Sequence, residues 1–412
     1  MDQPVARRLI ATIFAGQSLA SVGSVATATV DSIAAAHVGG RAELATVPTT
    51  LFLLGSALAA YPAGRLMERY GRRAGLATGY ALAFLGALAS GAGIVRGIFL
   101  WMVVGATLVG VGRAAIDQGR YAAADVVPSA VRARAVSWIV LAGTLGAVLG
   151  PALVVPSGAL AARAGVDELA GPYFASALLL LTGGLVIGIG LRPDPRDFAR
   201  TLVEPAGTTA GPQGPRRSYR EVFGDRSARL ALAAMVAGLF VMIMVMVITP
   251  LHMRGHDHTL NSISWVFAAH VLGMFGFSIV TGRVADALGR PAAIRIGAAL
   301  LIGACVIASA AQSVTALALA LFLLGLGWNF CFVSGSSLLT DVLRPAERAR
   351  IQGSNDLLVG LTGAVASLGS GQLFARLGYA SMAWIGVGIA AGLLVFSLAQ
   401  PRRSVLQPAP AD

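Results

Sequence analysis

Apolar stretches of roughly 20 residues alternate with short polar runs from one end of the chain to the other. A helix rising 1.5 Å per residue needs about 20 apolar residues to cross about 30 Å of hydrocarbon. The pattern predicts twelve such helices, at residues 9–31, 44–66, 74–95, 98–122, 135–158, 172–191, 228–250, 259–282, 292–312, 314–338, 351–375 and 380–399. Helices and short connections use nearly every residue, so no sizeable soluble domain is left. The reading is an all-α membrane protein.

Composition agrees and adds orientation. The 412 residues are 56% hydrophobic and 12% charged, against about 25% charged in soluble domains, and the mean hydropathy is +0.76. The chain has no lysine, so its 31 basic residues are all arginine. With the N-terminus inside, they gather in the cytoplasmic segments, at Arg7 and Arg8, Arg65 to Arg73, Arg132 and Arg134, residues 192–229, Arg344 to Arg350, and Arg402 and Arg403. This is the positive-inside pattern, with both termini cytoplasmic. The net charge of +12 therefore records topology and points to a lipid bilayer rather than a nucleic-acid partner. A first helix followed by eleven more spans is not a signal peptide. Cys305 and Cys331 sit inside predicted helices, where a structural disulfide is not expected. No nucleophile–base set stands out, so no enzyme is expected.

The polar connections repeat. Gly64, Arg65, Glu68, Arg69, Gly71, Arg72 and Arg73 follow span 2, and Gly282, Arg283, Asp286, Gly289 and Arg290 follow span 8, 218 positions later. Asp125 with Arg132 and Arg134 follows span 4, and Asp341 with Arg348 and Arg350 follows span 10, 216 positions later. The chain reads as two pseudo-symmetric six-helix bundles, 1–191 and 228–400, joined by a Pro/Gly- and Arg-rich cytoplasmic linker at 192–227 and followed by a tail at 401–412. The loop after span 2 resembles the signature loop of the major facilitator superfamily, with Glu68 where that family usually has Asp. The resemblance covers the whole chain and implies transport by alternating access. It also implies a gating role for Gly64, Glu68, Gly71 and Arg72, with Asp286 in the second copy. Gly146 to Pro151 in span 5 partly resembles the antiporter motif of drug exporters, with Ala152, Leu153 and Val154 replacing the glycines that follow it.

The second half concentrates soft ligands. Six of ten methionines and four of five histidines fall between Met235 and Met274. Residues four apart share a helix face, so Met242 can point with Met246 and His270 with Met274, while Met244 lies roughly opposite. Counting inward from the outer surface, Met246 lies about 6 Å deep, Met242 about 12 Å, His270 about 16 Å and Met274 about 22 Å. This ladder crosses the midplane, where carriers hold substrate. Above it, His252, Met253, His256 and His258 form a candidate metal-entry mouth. Thioether and imidazole suit Cu(I), and no acid lies mid-span in helices 7 and 8 to favour a harder cation. The MxxxM and HxxxM pair resembles CcoA-like transporters, a bacterial branch of the superfamily whose best-known type imports copper for haem–copper oxidase assembly. The branch also includes riboflavin carriers.

The first half carries intramembrane polar groups instead, at Asp31, Arg113, Asp117, Gln118 and Arg120. Arg113 and Asp117 are spaced for a helix-face ion pair, and with Asp31 they are candidates for proton coupling. The expectation is a monomeric secondary transporter of the bacterial inner membrane, with no tightly bound cofactor and with copper as the transported substrate. The alternative is a proton-coupled carrier of an organic solute, by riboflavin-like import or by drug export.

Overall fold

The computed structural model describes residues 4–128, 132–199 and 217–399. Residues 200–216 of the expected linker and the expected tail at 401–412 lie outside the described residues. The first half contains α1 (Pro4–Gly39), α2 (Val47–Tyr70), α3 (Arg72–Arg96), α4 (Phe99–Ile116, continued by Gly119–Asp125), α5 (Arg132–Arg163) and α6 (Gly171–Gly190). The second contains α7 (Arg226–Met246, continued by Thr249–Arg254), α8 (Leu260–Phe275, continued by Ser278–Leu288), α9 (Arg290–Ala310) and α10 (Val314–Val342). A last helix, Pro345–Leu398, breaks at Gly378, whose φ of 76° no helix tolerates. At 1.5 Å per residue its apolar part, Ile351–Leu398, would be about 72 Å long, more than twice the hydrocarbon thickness. The break divides it into α11 and α12, which completes twelve spans.

Local chemistry sets the ends. Asp225 caps α7 by accepting from the Ser227 and Ala228 amides, Thr259 caps α8, and Ser313 caps α10. Gly71 and Gly289, 218 positions apart, hold φ of 96° and 86°. That left-handed geometry lets the chain turn sharply from α2 into α3 and from α8 into α9.

The two halves pack alike. In the first, α4 lies on α3 and α2, and α6 on α1 and α3; in the second, α10 lies on α9 and α8, and α12 reaches α7 and α9 at Gly386. A glycine crossing recurs as well. A Cβ on Gly79 would stand 2.9 Å from the Gly112 carbonyl, and one on Gly297 would stand 2.9 Å from that of Gly327. Small residues at these crossings let α3 meet α4, and α9 meet α10, backbone to backbone.

Between the halves, contacts gather at the arginine-poor end. There Thr50 donates to Ser367 at 3.1 Å, Ser367 to the Thr46 carbonyl at 3.4 Å and Gln372 to the Glu43 carbonyl at 3.4 Å. Arg254 reaches Glu168 at 3.4 Å. The two ends of the linker are anchored at the arginine-rich end. Asp194 accepts from the Arg72 and Arg73 amides and so caps α3, while Arg196 donates to the Glu68 carbonyl at 2.8 Å. Arg217 binds buried Glu347 through Nη2 at 2.8 Å and its own amide at 2.9 Å. Hydrogen bonding from Arg217 holds the Glu347 carboxyl far below its ordinary value, at about 2, despite burial.

Candidate functional site

A cavity of about 180 Å3 lies between the halves. Ser24, Thr27 and Asp31 of α1, Thr49 and Phe52 of α2, and Tyr173 and Ser176 of α6 line one side, and Ile243, Met246 and Val247 of α7 line the other. The α7 wall lies at the helix break between Met246 and Thr249. Asp31 accepts from the Tyr173 hydroxyl at 2.6 Å and from the Thr49 hydroxyl at 2.5 Å. Among the described residues it has no cationic partner. A carboxylate in apolar surroundings is costly unless hydrogen bonds or a proton relieve it. Here two hydroxyls supply the first, and the cavity leaves access for the second.

A second polar group lies deeper along α1. Arg113 pairs with Asp117 at 2.8 Å, as the four-residue spacing predicts, and donates to Ser24 at 3.2 Å. Gln17 donates to Asp117 at 3.3 Å. The Asp117 side chain is 41% exposed where its helix breaks at Asp117 and Gln118. Gln17, Ser24 and Asp31 are seven residues apart and share one face of α1. Sequence reasoning found the three charges but missed Tyr173, Thr49, Ser24 and Gln17. Their signal was faint: single hydroxyls and one amide in apolar spans, where such groups often bond only to their own helix.

The soft-ligand ladder is distributed differently. Met246 lines the cavity and packs with Phe267 and Val271. Met242 is 2% exposed in the core of the second half. Met244 is buried as well, against α12 near Gly386. His270 is fully buried and turned into α10, where Nδ1–H donates to the Leu321 carbonyl at 2.8 Å. Met274 packs beside Gly325 of α10, and its carbonyl accepts from Asn329 at 2.6 Å. Met246 is thus the member of the four that lines the cavity. The reason lies in packing: α8 rests on α10 and on α5 of the other half, and α7 rests on α10 and the last helix. Among the described residues, no group of three or more His, Cys, Asp or Glu side chains is arranged to hold a metal.

The residues of the expected metal-entry mouth make the following contacts. His252 stacks on Tyr379 with ring centroids 4.2 Å apart, Met253 is buried, His256 bonds the His252 carbonyl at 2.9 Å, and His258 bonds that of Gln312 at 2.8 Å.

The residues expected to gate lie beside a duplicated set of ion pairs at the arginine-rich end. Arg72 pairs with Asp125 at 2.8 Å, and Arg290 pairs with Asp341 at 3.5 Å and also with Asp286. In the first half the acid that Arg72 contacts is Asp125. Glu68 contributes its carbonyl, to Arg196. Gly64 lies beside Gln118, and Gly71 beside Asp194.

The sequence matches the Major Facilitator Superfamily over residues 9–259 and again over 230–412. It is 38% identical over 392 residues to a protein of Bacillus subtilis (strain 168), the uncharacterized MFS-type transporter YdeG, covering 94% of this chain and 90% of that one. It is 29% identical over 396 residues to the riboflavin transporter RfnT of Brucella anthropi, covering 96% of each. The fold resembles that of a D-xylose–proton symporter, with a TM-score of 0.70 at 16% identity over 96% of this chain and 97% of that one. These likenesses give the copper-importing branch no support. Twelve helices in two halves, a lock repeated at one end and a cavity shared by both halves suit a machine that moves a solute, and by its sequence the chain belongs to the major facilitator superfamily, a membrane transporter and not an enzyme.

Proposed function

We propose that this protein is a proton-coupled carrier of a small organic solute of the riboflavin kind. It works by alternating access in the bacterial inner membrane, with the arginine-rich loops cytoplasmic. The observation that carries the reading is Asp31. It is an enclosed carboxylate held by Tyr173 and Thr49 in the wall of a cavity that both halves line. Proton binding there removes a charge from that wall, and solute occupies the space beside it. At about 180 Å3 the cavity is smaller than the 300–1,000 Å3 of typical small-molecule sites. Movement of α7 about its break widens it as the halves rock. The contacts between the halves at the arginine-poor end suit a cytoplasm-facing state. The likeness to a riboflavin transporter along nearly the full chain supports the solute class, and the partial antiporter motif alone does not favour drug export over it.

Copper import remains the second reading, favoured by one observation. His270 donates through Nδ1 to Leu321, which leaves the buried Nε2 without a partner among the described residues. That is how histidine is oriented when it ligates metal.

Proteoliposomes with an imposed pH gradient separate the two. Radiolabelled riboflavin should accumulate with the gradient and fall to passive levels in Asp31→Asn. Riboflavin flux unaffected by both the gradient and the substitution would overturn proton coupling. Uptake of Cu(I) in place of riboflavin, abolished by Met246→Leu or His270→Ala, would establish the second reading.

A further inference from the structure

A larger cavity lies in the seam where α5 of the first half meets α8 of the second. Its volume is about 640 Å3, and Thr144, Val148 and Val155 on α5 face Ser264, Trp265 and Leu272 on α8 across it. Trp265 is 68% exposed. On a helix that crosses a membrane, such exposure means contact with lipid, so the crevice opens sideways into the bilayer. Its lining on α8 runs from Asn261 to Gly276, a rise of about 22 Å. That equals one leaflet of a bilayer about 40–45 Å thick with its headgroups. Asn261 stands in the first turn of α8, at the arginine-poor end, and Gly276 stands at the mid-helix break.

Chemistry is sorted along this length. Asn261 and Ser264 lie at the surface end, and Trp265, Ala268, Val271 and Leu272 follow toward the midplane. Ser264 is 5% exposed and its hydroxyl has no hydrogen-bond partner among the described residues. A buried hydroxyl without a partner is costly, and this one lies where the ester oxygens of an inserted chain would arrive.

We propose that the crevice is a lipid site that holds one acyl chain of a bilayer phospholipid, with its ester region received by Asn261 and Ser264 and its tail running to Gly276. The site reaches the transport cavity through one wall. Val271 lines the crevice and packs with Phe267, Val25 and Met246, and Met246 lines the cavity around Asp31. The bound chain therefore braces that wall and bridges helices from opposite halves, so it must shift when the halves rock. This inference is independent of the identity of the transported solute.

The test is native mass spectrometry of protein extracted in mild detergent from phosphatidylethanolamine–phosphatidylglycerol vesicles. Wild type should retain one phospholipid. Ala268→Trp, which fills the crevice, should retain it more than about tenfold less often, as overpacking of this kind disfavours occupancy. Ser264→Ala should lower retention about fivefold, the worth of one net hydrogen bond. Leu181→Trp, on the exposed face of α6, should match wild type. Absence of a retained phospholipid from wild type, or equal retention by wild type and Ala268→Trp, overturns the proposal. Should Ala268→Trp fail to fold, photo-crosslinking of a diazirine-bearing acyl chain to wild type decides. Labelling concentrated on the Asn261–Gly276 peptide supports the site, and labelling spread evenly over the lipid-facing helices overturns it.

Discussion

The two halves share an architecture and divide the chemistry. Each has a glycine of positive φ at its sharp loop, an arginine after it and an aspartate at the end of the fourth helix of its bundle, brought together as Arg72–Asp125 and Arg290–Asp341. Between the membrane surfaces they differ. The first half carries Asp31 and the Arg113–Asp117 pair within its spans, whereas α7 and α8 of the second present methionine, histidine and apolar side chains. Duplication preserved the parts that turn and lock the helices. Charge in hydrocarbon is expensive, which makes this difference between the halves the informative one. The first half thus holds the ionisable groups of the interior, and the second supplies an apolar wall to the cavity.

Substitutions that break this contrast rank by expected size. Asp31→Asn should lower gradient-driven uptake more than about tenfold, the scale of losing an interaction made only in the working state. His270→Ala should leave the gradient dependence in place. Measured in the same vesicles, the reverse ranking would move the coupling chemistry into the second half.

The matching glycines test how far symmetry extends. Gly71→Ala should cost about 3 kcal/mol, from left-handed strain plus displacement of the Asp194 cap, while Gly289→Ala meets open space and should cost about 1–2 kcal/mol. Thermal unfolding in detergent reads both, and equal losses would deny Asp194 its role.

Glu347→Gln should cost about 2 kcal/mol at neutral pH, because charge-assisted bonds to Arg217 are lost. The sign of its pH dependence follows from a depressed carboxyl. The stabilisation is present above the ordinary value of 4.5 and disappears as pH falls through about 2. The variant should lose less stability than wild type on acidification over that window, and parallel curves would show that Glu347 does not contribute there.

The smallest expected effect is Met242→Leu, under about 1.5 kcal/mol as a volume-conserving core change, with riboflavin uptake within about twofold of wild type. Collapse of uptake would return Met242 to the substrate path.

Much of this could be read from residues alone. Helix count followed from hydrocarbon thickness, except that continuous hydrogen bonding merges α11 and α12 until Gly378 breaks them. The duplication was legible because loop glycines and charges recur at nearly fixed offsets. Arg113–Asp117 was legible because both partners lie on one helix. Met242 and Met246 show where such reading ends. Spacing puts them on one face, but it does not say which neighbour that face meets, and only Met246 of the four soft ligands lines the cavity.

By itself, then, the sequence determined a twelve-helix, two-fold repeated membrane transporter, because hydrophobic length and local spacing are properties of the chain. The tertiary structure alone decided that Tyr173 and Thr49 hold Asp31, that Arg72 meets Asp125, and that His270 turns to Leu321. Those contacts join residues far apart in sequence. The rotation of each helix about its axis fixes them, and that rotation is set by packing against neighbours that no periodicity within a single span encodes.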